Sequence, residues 1–231
     1  VQRLRIPIPL GGTTVFFRRE ALEKVGAWDA FNVTEDADLG MRLARFGMRC
    51  EMINSTTLEE ANFRVWPWIK QRSRWLKGYA ITWASHMRNP VQLFRDLGPR
   101  GFLGFQVLFL GAISSYLSIP LFWIAWGATF GLGLSIWSAL PFWLVASFFV
   151  SMAIGSTIMI TIAVLAAREL DRNLIKWVPA LFLYWPLGAI AAYRAIGELF
   201  TKPFYWHKTE HGVSTEGAAE QGQPSIPPHQ A

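Results

Sequence analysis

The amino-acid sequence predicts an α/β domain followed by α-helical transmembrane segments. Hydrophobic residues make up 52% of the 231 residues and charged residues only 16%, which is too apolar for an ordinary soluble domain. The charges are also unevenly placed, because residues 102–166 contain no acidic, basic or histidine side chain while the preceding part is richly charged. We therefore expect a soluble part and a lipid-embedded part in one chain.

These patterns divide the chain into four parts. We expect the soluble α/β part at residues 1–90, an interfacial linker at 91–101, transmembrane and interfacial helices at 102–200, and a cytoplasmic tail at 201–231. The tail is expected to be disordered from Ser214, where glycine, glutamine and proline are frequent. The sequence opens without Met inside an apparent strand, so its start is expected to be a truncation.

The soluble part is expected to contain short strands and longer helices. Residues 13–17 and 49–53 are predicted strands, and residues 19–25 a short helix. A longer helix is predicted from Thr34, a suitable N-cap with an acidic first turn after it, to Gly47. Another is predicted to open at Pro67 and to run to about Arg88.

The uncharged stretch predicts membrane spans. A spanning helix needs roughly 20 apolar residues, so two are predicted, at about 102–127 and 141–166. A third apolar stretch at 177–193 is interrupted by Pro179 and Pro186, so it is either a full span or an interfacial element, and the interfacial reading is favoured. The positive-inside rule places the basic outer flanks in the cytoplasm, and these are Arg88, Arg95, Arg100, Arg168, Arg172 and Lys176.

Composition argues against several other classes of protein. The net charge of +6 is accounted for by these basic flanks, so nothing indicates a nucleic-acid partner. The single cysteine, Cys50, excludes an internal disulfide and a cysteine metal cluster. The lipid bilayer is the expected partner.

Three short segments carry the polar motifs. They are Leu-Gly-Gly-Thr at 10–13, Val-Thr-Glu-Asp-Ala-Asp-Leu-Gly at 33–40, and Gln-Arg-Ser-Arg-Trp at 71–75. Helical spacing puts Gln71, Arg74, Trp75 and Gly78 on one face of the helix that opens at Pro67. The Asp-x-Asp string at 36–38 begins a helix rather than ending an apolar strand, so we do not interpret it as a metal site.

In this order and spacing the three segments resemble the acceptor half of membrane-integrated family-2 glycosyltransferases, the group of cellulose, other β-glucan, chitin and hyaluronan synthases. The resemblance covers nearly the whole chain, because those enzymes follow the Q-x-x-R-W motif with interfacial and transmembrane helices. It implies the carboxy-terminal part of a GT-A type domain.

The resemblance also implies roles for individual residues. An inverting transferase needs a carboxylate to take the proton of the attacking sugar hydroxyl, and the family assigns this role to Asp36 in the motif Thr34-Glu35-Asp36. The helix N-terminus favours the ionised Asp36, whereas exclusion of water and the neighbouring carboxylates oppose it. Substrate-binding roles are implied for Gln71, Arg74 and Trp75, which would contact diphosphate and acceptor, and for Gly11, Gly12 and Thr13 at the acceptor's terminal sugar.

Structural alternatives stay open at these positions. The carboxylates at 35, 36 and 38 would stabilise a helix start in any protein. Arginine and tryptophan beside a membrane also serve as interfacial anchors, which is the favoured reading for Trp66, Trp68, Arg72 and Trp83.

Near the carboxy terminus, residues 205–212 loosely resemble the cytoplasmic gating loop of these synthases. The residues concerned are Trp206, Lys208 and Thr209. This likeness favours a cytoplasmic carboxy terminus and therefore an even number of membrane crossings.

The resemblance implies an inverting β-glycosyltransferase, a hexosyltransferase that acts as a processive polysaccharide synthase. It would use a nucleotide sugar, most plausibly a UDP-sugar, at the cytoplasmic face of a bacterial inner membrane, with a growing glycan as acceptor. Alternatives are non-processive transfer to a lipid or short glycan, and a non-catalytic anchoring or adsorption protein derived from a transferase.

The family's nucleotide-binding Asp and metal-binding D-x-D lie in an amino-terminal half. Mg²⁺ or Mn²⁺ is therefore expected for the full enzyme, with ligands outside this chain. The isolated polypeptide is expected to be inactive for the same reason.

Overall fold

The computed structural model describes residues 6–12, 14–53, 55, 57, 62, 64–130, 140–203 and 205. Its α-helices are α1 (Arg19–Lys24), α2 (Glu35–Arg45), α3 (Val65–His86), α4 (Pro90–Phe105), α5 (Gly111–Thr129), α6 (Phe142–Leu170) and α7 (Leu181–Thr201). A π-helical turn, Gln106–Leu110, joins α4 to α5, and a 3₁₀ segment, Arg172–Ala180, precedes α7.

The part of the chain that the structure describes contains no β-strand, and both predicted strands are absent from it. Residues 14–17 and 49–53 have no regular secondary structure there. A strand exists only when a neighbouring strand accepts and donates its ladder hydrogen bonds, and the described residues of these two segments form no such ladder. Both still contribute apolar side chains, Phe17 and Cys50, to the cluster around Leu39 and Leu43 of α2. The α/β class of the soluble part remains a prediction.

Helix α2 begins and ends close to its predicted limits. Thr34 occupies the N-cap position, but its side chain makes no capping hydrogen bond; its backbone N–H instead donates to Asn32 Oδ1 at 3.1 Å. Leu39, Met41 and Leu43 are buried, so the apolar face of α2 packs into the protein. In the first turn, Glu35 and Asp36 are only partly buried, whereas Ala37 and Asp38 are buried.

Helix α3 is the central element of the soluble part and begins two residues before Pro67. One side of it meets the start of α2. Its other side, with Ile69 and Leu76, packs against Ile113 of α5 and against a group of small residues on α7, namely Ala191, Ala192 and Ala195. Alanines let two helix backbones approach closely. The helix that carries the 71–75 motif is therefore held between α2 and α7.

Within the described ranges, three helical stretches are long and apolar enough to cross a membrane: Pro90–Ala125, Phe142–Leu170 and Arg172–Thr201. The predicted spans at 102–127 and 141–166 correspond to the first two. The first starts earlier because α4 continues across a break at Gly98, whose φ of 67° is left-handed.

The third apolar stretch, predicted at 177–193 as a full span or an interfacial element, falls within a longer helical segment, and its placement in the membrane stays a prediction. It contains the regular 21-residue helix α7, which accommodates Pro186 in its second turn, while Pro179 falls in the preceding 3₁₀ segment. Pro186 lacks the N–H that would bond to the Phe182 carbonyl, so one helical hydrogen bond is missing, and the helix continues past it to Thr201. The helix is consequently long enough for a span.

Candidate active site

The Asp36 carboxylate lies in the first turn of α2 beside the Gly11-Gly12 loop. Its Oδ1 accepts a hydrogen bond from the Ala37 backbone N–H at 2.8 Å. Its Oδ2 lies 3.3 Å from the point where a Cβ on Gly12 would be. A residue with a side chain would crowd this oxygen, so the structure gives Gly12 a steric reason to be glycine.

The pKa of Asp36 is raised from its ordinary value, chiefly by burial. The hydrogen bond from Ala37 opposes this shift, the charge of Glu35 adds to it, and the charge of Arg74 opposes it. Burial, which favours the neutral carboxyl group, therefore affects the pKa of Asp36 more than the first turn of α2, which favours the ionised form. A more basic carboxylate is better suited to accept a proton from a hydroxyl group.

Arg74 of α3 belongs to the same electrostatic group. Burial lowers the pKa of its guanidinium, while the charges of Glu35 and Asp36 raise it, so the three side chains interact. Tyr79 lies about one turn further along α3. Burial raises the pKa of its phenol, and the negative charge of Asp36 raises that pKa further. The structure thus brings Glu35, Asp36 and Arg74 close enough for their charges to act on one another.

The close approach of α3 to α2 depends on Gly78. A Cβ at this position would collide with the Oγ1, Cγ2 and Cβ atoms of Thr34. Next to this contact, Asn32 donates from Nδ2 to Thr82 Oγ1 at 2.8 Å and accepts from the Thr34 N–H, in a buried network. Thr34 thus acts through packing rather than as a helix cap.

Trp75 and Gln71 lie at the open side of α3. The Trp75 side chain is 38% exposed, and the guanidinium of Arg72 lies 4.3 Å from the centroid of its ring. Arg72 also approaches Trp68, at 5.4 Å. Gln71 is partly buried. Arg72 thus covers one face of an indole that is otherwise partly open to solvent, and a partly exposed indole can contact a ligand whereas a fully buried one cannot.

Asp38, the second aspartate of the Asp-x-Asp string, belongs to a different environment. It is 5% exposed, and it accepts hydrogen bonds from Arg42 Nε at 2.8 Å and from His86 Nε2 at 3.0 Å. The Arg45 guanidinium, which can only donate, lies 3.1 Å from His86 Nδ1, so His86 carries its hydrogen on Nε2. Burial raises the pKa of Asp38, but the hydrogen bonds from His86 and Arg42 and the positive charge of Arg42 outweigh it, and the pKa lies below its usual value.

This arrangement does not suit a divalent cation at residues 36–38. The Asp38 carboxylate already accepts hydrogen bonds from Arg42 and His86, and the described residues contain no group of three His, Cys, Asp or Glu side chains that could hold a metal ion. Thr13 and the gating-loop residues Trp206, Lys208 and Thr209 lie outside the described residues.

Sequence reasoning missed several residues of this site. Thr82 follows Gly78 by one helical turn, and Tyr79 follows Trp75 by one turn, so extending the periodicity of the motif would have found both. Asn32 carries no such signal, because its partner Thr82 is 50 residues away along the chain.

Comparisons with known proteins identify the class of chain to which this site belongs. The family model described as glycosyl transferase family group 2 matches residues 2–193. Since this match covers most of the sequence, the chain belongs to that glycosyltransferase family. No solved structure matches the chain significantly.

Two curated relatives agree with this assignment. The chain is 25% identical to the probable glycosyltransferase YdaM of Bacillus subtilis, over 86% of this chain and 48% of the relative. It is 26% identical to the beta-monoglucosyldiacylglycerol synthase of Synechocystis, over 93% of this chain and 44% of the relative. The chain therefore spans about half the length of these relatives.

Proposed function

We propose that this chain forms the acceptor side and the membrane anchor of an inverting β-glycosyltransferase, with Asp36 as the catalytic base. The observation that carries the proposal is the position of Asp36 in a chain of this family. Its partly buried carboxylate lies between the Gly12 loop and the Arg74 face of α3.

The proposed reaction is a single displacement. The acceptor hydroxyl gives its proton to Asp36 while its oxygen attacks the anomeric carbon of a nucleotide sugar, and the bond from that carbon to the diphosphate breaks. Burial supports the base role by making Asp36 more basic than an exposed aspartate.

Arg74 and Trp75 are proposed to act on the two substrates. A guanidinium donates parallel hydrogen bonds to phosphate oxygens, and the charge of Arg74 lies close enough to Asp36 to bring leaving group and base into one site. The partly exposed indole of Trp75 is suited to the C–H groups of a sugar ring. Gln71, Gly11, Gly12 and Thr13 are proposed to complete the substrate contacts.

The donor is proposed to be a nucleotide sugar, and a UDP-sugar in particular. Family-2 enzymes commonly use a divalent metal, and Mg²⁺ or Mn²⁺ is proposed here. The described residues do not fit such an ion, so no step of the mechanism above depends on it.

The acceptor is proposed to be a growing glycan, extended processively at the cytoplasmic face of a bacterial inner membrane. The Q-x-x-R-W motif supports this choice, and the basic flanks of the membrane helices support the orientation. The gating-loop role of Trp206, Lys208 and Thr209 belongs to the same proposal.

One observation favours a second candidate, non-processive transfer of a single sugar to a lipid. One relative is a beta-monoglucosyldiacylglycerol synthase, and three membrane-length helices would bring a lipid acceptor close to the site. A third reading, a non-catalytic anchoring protein, is supported only by the apolar helices.

A single assay separates the three. Membranes that contain the full-length protein are supplied with radiolabelled UDP-sugars and a divalent cation, and the products are sized after solvent extraction. A polymer that resists extraction supports the synthase, a labelled lipid supports the non-processive transferase, and no incorporation from any nucleotide sugar would contradict a transferase function.

A further inference from the structure

Lys77, two residues after the 71–75 motif, is one of the most deeply buried side chains of the described protein. Only 1% of its surface is exposed. Its ammonium lies 3.2 Å from Glu198 Oε2, and it donates to the backbone carbonyls of Lys202 and Tyr205 at 3.3 and 2.7 Å. A buried lysine is rare unless its charge is compensated, and here three oxygens surround it.

Two of these oxygens, on Glu198 and Lys202, lie at the carboxy-terminal end of α7, and the third belongs to Tyr205 in the segment just after the helix. Lys202 is the residue that ends this helix, and its carbonyl also accepts the Tyr205 N–H at 3.2 Å, which closes a turn around the ammonium. The last carbonyls of a helix have no intrahelical donor, and the helix dipole makes that end negative. Lys77 therefore caps α7 from a different helix, more than a hundred residues away in sequence.

The other charged groups around this contact support the same conclusion. Glu198 Oε1 accepts a hydrogen bond from Arg194 Nε at 2.8 Å, one turn earlier on α7. The guanidinium of Arg194 lies 5.2 Å from the ring centroid of Trp66 at the start of α3. Two cations thus share one carboxylate, and polar contacts join α3 and α7 at both Trp66 and Lys77.

Lys77 also adjoins the catalytic side of α3. The next residue, Gly78, touches Thr34 at the start of α2. On the opposite side, Ile69 and Leu76 pack on the alanines of α7. A displacement of α3 from α7 would consequently alter the distance between Arg74 and Asp36.

We propose that Lys77 is a positioning residue that fixes the Gln71–Trp75 turn of α3 by capping the carboxy-terminal end of α7. This inference rests on the proposed transferase function and makes α7 part of the active-site scaffold as well as a membrane helix. Lys77 itself does not touch substrate in this account; it acts through Arg74 and Trp75.

The first test measures transfer by the full-length protein carrying Lys77→Met, normalised to the amount of protein that binds nucleotide. We expect kcat to fall by about 10- to 100-fold, because small misplacements of catalytic groups have effects of that size. Lys77→Arg retains the cation and is expected to recover part of the loss. Glu198→Gln leaves both carbonyl contacts in place and is expected to have a smaller effect than Lys77→Met.

The matched control is Lys202→Met. It removes a cation from the same turn, but it leaves the Lys202 carbonyl that Lys77 contacts, and the Lys202 side chain is exposed. We expect kcat to stay within about twofold of the wild-type value, as for other exposed charges.

The second test is amide hydrogen exchange of the same variants and does not depend on catalysis. In Lys77→Met, exchange at residues 199–205 is expected to rise by about tenfold or more, while α2 and α6 keep their wild-type rates, since only the end of α7 is released. A general loss of structure would raise exchange in α2 as well and would contradict a specific cap.

The two tests separate failure of this inference from failure of the proposed function. If the wild-type protein transfers no sugar, the transferase function is wrong, yet the exchange experiment still decides whether Lys77 caps α7. Unchanged exchange in Lys77→Met would overturn the cap. Raised exchange with unchanged kcat would overturn the positioning role. A loss of kcat in Glu198→Gln as large as that in Lys77→Met would show that the ion pair, and not the contacts with the two carbonyls, carries the effect.

Discussion

The backbone of Gly78 lies directly against the side chain of Thr34, so that α3 touches the N-terminus of α2. This contact brings the two motifs together, because Arg74 precedes Gly78 by one turn and Asp36 follows Thr34 by two residues. The charges of Arg74, Glu35 and Asp36 consequently influence one another. The geometry of the candidate site depends on the absence of one Cβ atom.

Gly78→Ala is expected to abolish most of the activity of the full-length enzyme. The new Cβ would overlap three atoms of Thr34, so α3 must move away from α2 and Arg74 with it. A steady-state transfer assay should show a loss of about 100-fold.

The control for this change is Gly155→Ala on α6. It is also a helical glycine, and a Cβ there meets no atom within 4 Å. Activity close to wild type is expected for it. Equal losses in the two variants would show that the effect comes from glycine replacement in general and not from the Thr34 contact.

Gly12→Ala is expected to raise the KM for the acceptor more than the Kd for the nucleotide sugar. Its Cβ would lie 3.3 Å from Asp36 Oδ2, in the space where an acceptor hydroxyl must approach the base. The acceptor KM should rise severalfold, while the nucleotide-sugar Kd changes little. Gly11→Ala, whose Cβ meets nothing within 4 Å, is expected to lose less, and the reverse order would contradict the placement of the loop.

The pH dependence of transfer should respond to the two charged neighbours of Asp36 in opposite directions. The base must be ionised, so the rate falls as the pH falls through the pKa of Asp36. Arg74 lowers this pKa and Glu35 raises it. The acid limb of the pH–rate profile should therefore move to higher pH in Arg74→Gln and to lower pH in Glu35→Gln, whatever the maximal rates. Shifts in the same direction would mean that the acid limb follows the protonation of a group other than Asp36.

Asp38 is expected to support stability rather than catalysis. Asp38→Asn leaves Arg42 and the buried His86 without their carboxylate and should lower the free energy of unfolding by about 3 kcal/mol, measured by denaturation in detergent. The exposed Arg19–Glu23 pair has the same i, i+4 spacing, and Glu23→Gln should change stability by less than about 0.5 kcal/mol.

The same carboxylate makes a pH-dependent contribution. Its pKa in the folded protein lies below the ordinary value of 3.8, so its stabilising effect is complete above that pH and is lost as the pH falls further. The acid destabilisation of the wild-type protein should be weaker in Asp38→Asn, and equal pH dependence in both would contradict the assignment.

Local sequence patterns were sufficient for the helices that carry the site. The acidic first turn after Thr34 predicted the start of α2, and the uncharged run at 102–166 predicted two of the three membrane-length helices, because both signals act within one element. The predicted strands failed for the opposite reason: a strand at 49–53 needs a partner that the segment itself cannot supply.

Local sequence patterns also could not predict contacts between residues that are far apart in the sequence. The pairing of Asn32 with Thr82 and of Lys77 with Glu198 depends on how α3 packs between α2 and α7. Pro179 and Pro186 predicted an interrupted third segment. In the structure Pro179 lies in the 3₁₀ segment before α7, and α7 continues past Pro186.

The most direct test of the account is sugar transfer by the full-length enzyme with Asp36→Asn. Asparagine keeps the shape of the side chain but cannot accept the proton of the acceptor hydroxyl. We predict loss of transfer by at least about 1,000-fold, with nucleotide-sugar binding and thermal unfolding unchanged. Retention of substantial transfer by this variant would show that Asp36 is not the base.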